Sequence, residues 1–455
     1  MAELIKGDKK LINGWAFYDW ANSVYPLVIT STIFPIYYLS ITKTGDSNMV
    51  RFLGIEWENS ALLTYALSFA YLVISVLSPI LSGIADFSGS KKKFMQFFCY
   101  LGSISCSLMY FFTGADMLWL GIILIILSCI GYSGSIVFYN AYLPEIATED
   151  QQDRVSAKGF AMGYIGSALL LIMNLIVVMK PEWFFDVESK TKEIISGTIG
   201  ISPEDALTKA KASFGGLASR IGFLAVGIWW MAFAQITFFR LPNNKNNKKA
   251  EGNYFFKGYQ ELAKVWRDLK QTPRLTKFLP AFFIYSMGVQ TVMMVATLFG
   301  SNTLKLEKGQ LIITILVIQF VAVLGAYLFS FFSKSQGNIK TLKIAVIIWI
   351  GVCIGAYFVQ TPSQFFILAG VVGLVMGGIQ ALSRSTYSKM LPETKDHASY
   401  FSFYDVCEKI GIVLGTALFA SITQMTSDMR NAIFSLIIIF VAGFVLLLRV
   451  PKQEK

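Results

Sequence analysis

Ionisable side chains interrupt the apolar stretches of this sequence at a few positions. Asp19 lies in the first stretch, Asp405, Glu408 and Lys409 lie together in a late one, and Arg384 stands near the end of the stretch before it. A charge is costly in an apolar environment, so each of these residues is a candidate for function. Carboxyl groups in such surroundings can bind and release protons, because burial disfavours their charged form. The chemistry they suggest is proton transfer and the reversible formation of ion pairs.

Simple pairing accounts for part of this set of charges. Asp405 and Lys409 stand four residues apart, in the order that favours an ion pair on a helix. Glu408 then needs either Arg384 or a proton as its partner. Asp19 fits two interpretations: it gates a transport path or carries a coupling proton, or it pairs permanently with a nearby cation and only fixes helix packing. We hypothesise that Asp19, Arg384 and the two late acids form one network that breaks and reforms.

Polar side chains recur at helical spacing near these charges. One stripe accompanies Asp19 in the first apolar stretch and consists of Tyr18, Asn22 and Tyr25. A second stripe lies in the fourth stretch and consists of Ser128, Tyr132, Ser135, Tyr139 and Asn140. Gln290 and Gln319 lie near the middle of two later stretches, where an amide must find a partner. For all of these side chains the alternatives are contact with a solute and hydrogen bonding to a neighbouring helix.

The elements that carry these side chains are membrane spans. Of the 455 residues, 55% are hydrophobic and only 15% are charged, and the mean hydropathy is +0.57. Soluble proteins carry about 25% charged residues, and a membrane-spanning helix needs roughly 20 mainly apolar residues. Twelve segments meet that length: 15–40, 61–84, 94–113, 117–140, 157–180, 218–240, 276–300, 310–332, 341–360, 364–388, 398–424 and 430–449.

The basic residues are distributed unevenly among the loops. The net charge is +11, but the cations lie in short loops between apolar segments, which argues against a nucleic-acid partner. The termini and the loops after even-numbered spans carry more than twice as many Lys and Arg residues as the other loops, with clusters at 91–93 and 245–249. Cytoplasmic loops are enriched in these residues. We therefore expect both termini to be cytoplasmic.

Two connections are long enough to contain further structure. In the external segment 181–217, Ser202-Pro203-Glu204-Asp205 has the pattern of a helix start, and we expect a short helix that ends near Phe214. In the midpoint segment 241–275, a polar stretch at 243–247 precedes a pattern typical of a helix in the membrane interface, or of a simple tether. Its apolar side consists of Phe255, Tyr259, Leu262, Trp266 and Leu269, and its basic side of Lys257, Lys264, Arg267 and Lys270.

The chain contains an internal repeat. The features that recur at an offset of 248 residues are Gly89 with Gly337, Lys92 with Lys340, Leu143-Pro144-Glu145 with Leu391-Pro392-Glu393, and Gly163 with Gly411. Parallel repeats of six spans are typical of one large class of transporters. We expect a six-helix half at 1–240, a cytoplasmic linker at 241–275 and a second six-helix half at 276–455. Glycines spaced by four, such as Gly159 and Gly163, predict close helix contacts.

The segment 82–92, Ser-Gly-Ile-Ala-Asp-Phe-Ser-Gly-Ser-Lys-Lys, resembles the loop between spans 2 and 3 of the major facilitator superfamily. The positions that match that family's pattern are Asp86, Gly89, Lys91 and Lys92. Ser82 replaces a usual glycine, and Phe87 stands where a basic residue is usual. The resemblance implies an all-α membrane protein with 12 transmembrane helices in two six-helix halves, the major facilitator fold. It also implies that Asp86 and the lysines hold the halves together at the cytoplasmic face.

A narrower resemblance covers most of the chain. The segments 17–23, 138–145, 378–385 and 403–405 are similar to the vacuole-effluxer branch of that superfamily, which includes the fungal autophagy-related protein linked to amino-acid export. In this architecture spans 1, 4, 7 and 10 line a central cavity. The candidate cavity residues are Tyr18, Asn22, Tyr25, Tyr132, Tyr139, Asn140, Gln290, Gln319 and Gln380. The candidate gating or proton-coupling residues are Asp19, Asp86, Lys91, Lys92, Arg384, Asp405, Glu408 and Lys409.

The sequence lacks the patterns expected of an enzyme. The only histidine, His397, lies in a loop without a partner nucleophile, and neither a P-loop nor a metalloprotease motif occurs. We expect no cofactor and no metal site. We predict a secondary transporter for a small polar solute, an amino acid or short peptide, coupled to protons. The alternatives are a flippase for a lipid or lipid-linked precursor, an uncoupled facilitator, and a non-transporting scaffold. We expect a monomer in a bacterial inner membrane.

Overall fold

Twelve long helices dominate the structure, a computed structural model that describes residues 6–43, 45, 47–242 and 254–451. Each of the twelve is long and apolar enough to cross a membrane, which confirms the predicted all-α, twelve-span class. Span 1 comprises Lys9–Asn22, a π-helical turn at Tyr25–Thr30, and Ile33–Thr42. Spans 2 to 12 are Asn59–Ser88, Lys91–Leu108, Leu118–Asn140, Gln152–Met179, Pro203–Arg240, Pro273–Asn302, Lys308–Gln336, Asn338–Phe358, Pro362–Met390, His397–Thr426 and Met429–Leu448.

Span 1 changes its winding where proline enters the helix. Pro26 lacks a backbone N–H, so the regular hydrogen-bond ladder cannot continue through it. Two hydroxyls satisfy carbonyls in this turn: Thr30 donates to the Pro26 carbonyl at 2.7 Å, and Thr32 donates to the Leu27 carbonyl at 2.6 Å. The widened turn keeps its polar backbone bonded within the apolar bundle.

The two six-helix halves pack against each other along a few spans. Span 2 contacts span 11, and span 5 contacts spans 8 and 10. The internal repeat falls on equivalent positions, since Gly89 and Gly337 end spans 2 and 8 at φ values of +64° and +80°. Such a backbone conformation favours glycine. We call the membrane face that carries the loops after spans 2, 4, 6, 8 and 10 the basic face.

The segment 181–217 differs from its prediction in one respect. Ser202 does cap a helix, because its hydroxyl accepts from the Asp205 N–H at 3.0 Å, but the helix does not end near Phe214. It runs without interruption from Pro203 to Arg240 and becomes span 6. A second helix of the same segment, Val187–Gly197, packs alongside it, and Phe185 stacks on Phe214 at 5.1 Å. This packing supports the helix through its glycine pair at 215–216, where the sequence alone suggested a stop.

A short antiparallel hairpin between spans 1 and 2 was not predicted. Its strands are Met49–Phe52 and Ile55–Glu58. Both turn residues have positive φ, +53° at Leu53 and +80° at Gly54. Leucine is an unusual residue for the first position of such a turn, so the usual sequence signal for a hairpin is missing here.

The midpoint segment contains the predicted helix, at Tyr254–Gln271. It packs on span 2 with Val265 and Leu269 buried, whereas Trp266 is about half exposed and lies 5.5 Å from Phe403 of span 11. Lys264 donates to Asp396 at 2.9 Å, and this hydrogen bond raises the pKa of the lysine. The polar stretch 243–247, the basic cluster 245–249 and the side chains of 254–258 lie outside the described residues.

Candidate functional site

A cavity of about 240 Å³ lies between the two halves. Spans 1, 2, 4 and 5 line it from the first half, and spans 7, 8, 10 and 11 from the second. The side chains of its wall that the sequence singles out are Asp19, Tyr132, Asn140, Gln290, Gln319, Gln380, Arg384, Glu408 and Lys409. The charged members form two separate clusters.

Arg384 is buried and joins the two halves. Both of its Nη atoms donate to Asp19 Oδ2 at 3.2 Å. Its Nε donates to the Ser156 hydroxyl and its Nη2 to the Ser156 carbonyl, each at 2.9 Å, and its Nη1 donates to Asn140 Oδ1 at 3.3 Å. The Tyr139 hydroxyl also donates to Asp19 Oδ2, at 2.7 Å. We call these five residues the Arg384 cluster.

The contacts of Arg384 use the whole donor capacity of its side chain. A guanidinium has five N–H groups, and each of them has an acceptor in this cluster. Aromatic rings cover the group as well: its central carbon lies 4.1 Å from the Phe160 ring centroid and 4.9 Å from that of Trp15. One carboxylate matches one guanidinium, so the cluster is neutral, hydrogen-bonded and tightly packed.

Gly159 of span 5 makes this close approach possible. A Cβ at this position would lie 2.4 Å from Asp19 Oδ2 and 2.9 Å from Arg384 Nη2. A Cβ at Gly163 would lie 2.4 Å from the Ser23 hydroxyl of span 1. The spacing of these glycines predicted close helix contacts, and the structure places Gly159 directly against the charged pair.

The second cluster, the Lys409 cluster, consists of Gln290, Asp405, Glu408 and Lys409. Glu408 accepts from Gln290 Nε2 at 2.7 Å and from Lys409 Nζ at 3.1 Å. Lys409 Nζ also lies 3.4 Å from Asp405 Oδ1, the ion pair that the spacing suggests. Asp405 is only 1% exposed, yet within the part of the chain that the structure describes neither of its carboxylate oxygens has a hydrogen bond. Two carboxylates share one ammonium, so the cluster has an excess of negative charge.

The two clusters are separate, whereas the sequence suggested a single network. Among the described residues, no hydrogen bond or ion pair joins Arg384 to Asp405 or Glu408. The reason is that every guanidinium N–H group of Arg384 donates to a residue of the first half. Glu408 accepts hydrogen bonds from Gln290 and Lys409, which both belong to the second half.

Several candidate cavity residues pack between helices and do not line the cavity. Tyr18, Asn22, Tyr25 and Tyr139 are fully buried and absent from its wall. Tyr18 and Tyr139 pack ring against ring at 5.1 Å, and Ser128 donates to the Tyr25 hydroxyl at 3.3 Å. The side of span 1 that faces the cavity carries Asp19, Ser23, Pro26 and Leu27. The residues of span 1 that line the cavity therefore lie on the side of the helix next to the predicted stripe of Tyr18, Asn22 and Tyr25.

The candidates near the basic face make contacts of different kinds. Asp86 accepts from the backbone N–H groups of Ala398 and Ser399, at 3.2 and 2.7 Å, and from the Ser399 hydroxyl at 2.8 Å. It thus caps the start of span 11 from the other half, where a helix favours negative charge. Lys91 pairs with Glu145, and Lys92 donates to the Leu241 carbonyl at 2.9 Å. Lys91 therefore bonds within the first half, and Lys92 bonds to the first residue of the linker.

Sequence reasoning missed further polar contacts between the halves. Asp153, at the start of span 5, accepts from Ser333, Asn338 and Lys389 of the second half at 2.7–2.8 Å. Glu145 lies 2.9 Å from His397 Nδ1. The sequence repeat gives no signal for Asp153, because the residue at the repeat offset is Phe401. Only the structure shows that the two acids act at related places: Asp86 joins the end of span 2 to the start of span 11, and Asp153 joins the start of span 5 to the end of span 8.

Comparison with known proteins decides the family. Residues 7–455 match the family described as vacuole effluxer Atg22 like. This chain belongs to that family. The match confirms the resemblance seen in the sequence motifs, and it covers both halves of the Atg22-like chain.

Two relatives align with the Atg22-like chain over nearly its whole length. The MFS-type transporter YxiO of Bacillus subtilis (strain 168) is 32% identical, over 99% of this chain and 97% of its own. Autophagy-related protein 22 of Coccidioides immitis (strain RS) is 23% identical, over 98% of this chain and 88% of its own. The Atg22-like chain is therefore an MFS-type transporter, and MFS here denotes the major facilitator superfamily.

A solved structure shows the same fold. The crystal structure of FucP, an MFS transporter in the outward conformation, superposes with a TM-score of 0.65 and covers 98% of each chain. At 14% identity the likeness concerns the fold alone. It confirms the predicted major facilitator fold, and with the twelve spans it identifies the Atg22-like protein as a multi-pass integral membrane protein.

Proposed function

We propose that this Atg22-like protein is a secondary active transporter that moves a small polar solute of the amino-acid or short-peptide class by alternating access, coupled to protons. The observation that carries the proposal is the cavity between the halves, whose wall combines amides and hydroxyls with two clusters of buried charge. Buried ionisable groups in a membrane bundle mark solute and ion paths. The name of the matching family, an effluxer, supports the same function.

The size and lining of the cavity favour a small solute over a lipid. Small-molecule sites have volumes of roughly 300–1,000 Å³, and this cavity, at about 240 Å³, lies just below that range. The amides of Gln290, Gln319 and Gln380 and the hydroxyl of Tyr132 lie in its wall and provide donors and acceptors for a polar solute. A flippase for a lipid or lipid-linked precursor needs a longer groove with an apolar portion.

The proposed proton carriers are the acids of the Lys409 cluster. Glu408 lines the cavity, and one proton on Glu408 or Asp405 leaves a neutral cluster with the ammonium of Lys409. Asp19 is the weaker candidate, because Arg384 already matches its charge. We assign Asp19, Arg384 and Asp86 to gating, since each bonds across the two halves.

The orientation follows from charge. We propose that the basic face is cytoplasmic, with both termini there, and that the membrane is the bacterial plasma membrane, as the Bacillus subtilis relative suggests. The contacts of Asp86, Asp153 and Arg384 between the halves lie toward that face, which favours access from the opposite side. We propose that the halves, 1–240 and 276–455, rock about the linker 241–275, and that one chain, which forms the whole cavity, acts as a monomer.

The test is transport in proteoliposomes. A pool of labelled amino acids and dipeptides is offered with and without an imposed pH gradient, and empty liposomes serve as the control. Uptake that rises with the gradient supports a proton-coupled transporter and identifies the solute class. Uptake that is the same with and without the pH gradient indicates an uncoupled facilitator. If folded protein moves no member of the pool, the proposal is wrong, and the same assay with fluorescent lipids tests the flippase.

A further inference from the structure

We propose that the cavity selects its solute by the ammonium group, which binds at the Lys409 cluster, and that Arg384 does not bind the solute's carboxylate. This inference rests on the proposed function and concerns the recognition of its solute. It differs from the simplest expectation for an amino acid, in which a buried arginine pairs with the carboxylate. The difference comes from which charged groups have bonding capacity left.

Arg384 has no free hydrogen-bond donor for a solute. All five N–H groups of its guanidinium have acceptors within the Arg384 cluster, at 2.9–3.3 Å. A solute carboxylate would have to displace Asp19 or the oxygen atoms of Ser156 and Asn140. A displaced Asp19 would keep only the Tyr139 hydroxyl, and the displaced oxygen atoms of Ser156 or Asn140 would lose the arginine as their donor. Leaving a buried polar group unsatisfied costs about 1–3 kcal/mol, and more for a charge. The arginine therefore holds the halves together and leaves the solute's anion to water or to the neutral amides.

The Lys409 cluster has the opposite character. Its two carboxylates share a single ammonium, and both oxygens of Asp405 lack a hydrogen bond within the described part of the chain. The Nζ of Lys409 lies 6.0 Å from the centroid of the Tyr71 ring, and the rings of Tyr71 and Tyr132 line the cavity beside it. Carboxylates and aromatic faces together are the groups that bind ammonium ions.

Lys409 shows what this cluster binds. Its primary ammonium contacts Glu408 Oε2 at 3.1 Å, next to the cavity. A solute ammonium that reaches the cavity meets the same carboxylate and competes with an intramolecular ammonium of the same chemistry. The site therefore suits a primary amine, and we expect amines without a carboxylate to bind as well as complete amino acids.

The experiment separates the two ends of the solute. Amino-acid amides keep the ammonium and lack the carboxylate, and N-acetyl amino acids keep the carboxylate and lack the ammonium. Each set is tested in two ways on purified protein: competition against uptake of the parent amino acids, and a shift of thermal stability, which needs no transport. We expect the amides to match the parents and the N-acetyl compounds to be weaker by at least about tenfold, the loss expected for a charge-assisted hydrogen bond.

A variant tests the assignment to Lys409. Lys409→Met removes the internal competitor and leaves both carboxylates, so the amides should bind more tightly while the N-acetyl compounds stay weak. Glu393→Gln, an exposed site after span 10, is the matched control and should change neither. If Lys409→Met does not fold, Glu408→Gln provides the second variant and should weaken amides and parents together.

The outcomes are distinguishable from failure of the proposed function. N-acetyl compounds that bind as well as amides, or amides that produce no stability shift while N-acetyl compounds do, overturn the inference even if transport occurs. A lack of shift with either set also overturns it. Absent uptake with a clear amide shift leaves the ammonium site standing and counts against the proposed transport.

Discussion

The Arg384 cluster and the Lys409 cluster both contribute residues to the wall of one cavity, yet they differ in charge balance, in bonding and in the elements that form them. The first is neutral, its guanidinium has no free donor, and it joins spans 1, 4 and 5 to span 10. The second carries an excess negative charge, has unbonded carboxylate oxygens among the described residues, and is built from spans 7 and 11. The comparison teaches that buried charge alone does not identify a binding site, because satisfied charges hold elements together.

The location of each cluster decides what can happen to it during transport. The Arg384 cluster bridges the halves, so exposing the cavity to the basic face requires its hydrogen bonds to break. The Lys409 cluster lies inside the second half and can keep its geometry while that half moves as a body. Under the proposed alternating access, we expect the first cluster to set the balance between the two open states and the second to be available to solute and proton in both.

The largest effect is expected from Arg384→Met. The change leaves Asp19 buried without its counter-charge, and breaking a buried ion pair costs about 3–5 kcal/mol. We expect a large drop in the thermal unfolding temperature in detergent and no transport. The double variant Asp19→Asn with Arg384→Met removes both charges and should recover part of the stability. A single variant as stable as the unmodified protein would show that the pair contributes no more than surface charges do.

The second prediction concerns the Lys409 cluster, where we expect a small effect on stability and a large effect on transport. Glu408→Gln keeps one side-chain oxygen, which can accept from either Gln290 or Lys409, but removes the carboxylate that takes up a proton. We expect stability to change by less than about 1 kcal/mol, as for loss of a partly exposed ion pair, and the stimulation of uptake by a pH gradient to disappear. Counterflow without a gradient should persist at solute concentrations high enough to offset the weaker binding expected of this variant. A gradient response equal to that of the unmodified protein would place the coupling proton elsewhere.

Part of this architecture can be predicted from sequence because its causes are local. Apolar length gives the twelve spans, Ser202 gives a helix start through its own hydroxyl, and Asp405 and Lys409 meet because they stand one helical turn apart. Pro26 disturbs span 1 by the chemistry of its own backbone. Each of these features depends on residues only a few positions apart.

The rest depends on partners that are distant in the chain. Tyr18 and Asp19 are neighbours on one helix, and either side of that helix could face a cavity. The packing of Tyr18 against Tyr139 determines which side faces the cavity. The spacing of polar residues in the sequence does not reveal this contact. Ser156 is an ordinary helix residue in the sequence and acquires its role only because Arg384, 228 residues away, donates to it. Pairings of this kind require the tertiary structure.

The third prediction sharpens the comparison without changing any charge. Gly159→Ala places a Cβ within 2.4 Å of Asp19 Oδ2, whereas a Cβ at Gly411 would have 3.5 Å to its nearest neighbour, Met287. We expect Gly159→Ala to cost about 1–3 kcal/mol, as overpacking does, and to reduce transport. Gly411→Ala should be neutral or slightly stabilising, because alanine favours a helix over glycine by roughly 0.5–1 kcal/mol. Equal effects at the two sites, measured by thermal unfolding, would contradict the contact of span 5 with the Arg384 cluster.

The smallest effect is expected at the edge of the basic face, where Asp86 caps span 11. Asp86→Asn keeps an oxygen acceptor but loses the charge, and loss of the charge should cost about 0.3–1 kcal/mol, the range for a carboxylate at a helix start. Such a cost is small for stability but comparable to the difference between two open states of a transporter, so we expect the cavity to be reached more readily from the basic face. A cysteine introduced at the cavity-lining Ser286 should be labelled by a membrane-impermeant thiol reagent, applied from the basic face, up to about fivefold faster in this variant than in Ser286→Cys alone. Asp116→Asn, on the opposite face, is the matched control and should leave the labelling rate unchanged. An unchanged rate in Asp86→Asn would mean that the Arg384 cluster alone keeps the basic face closed.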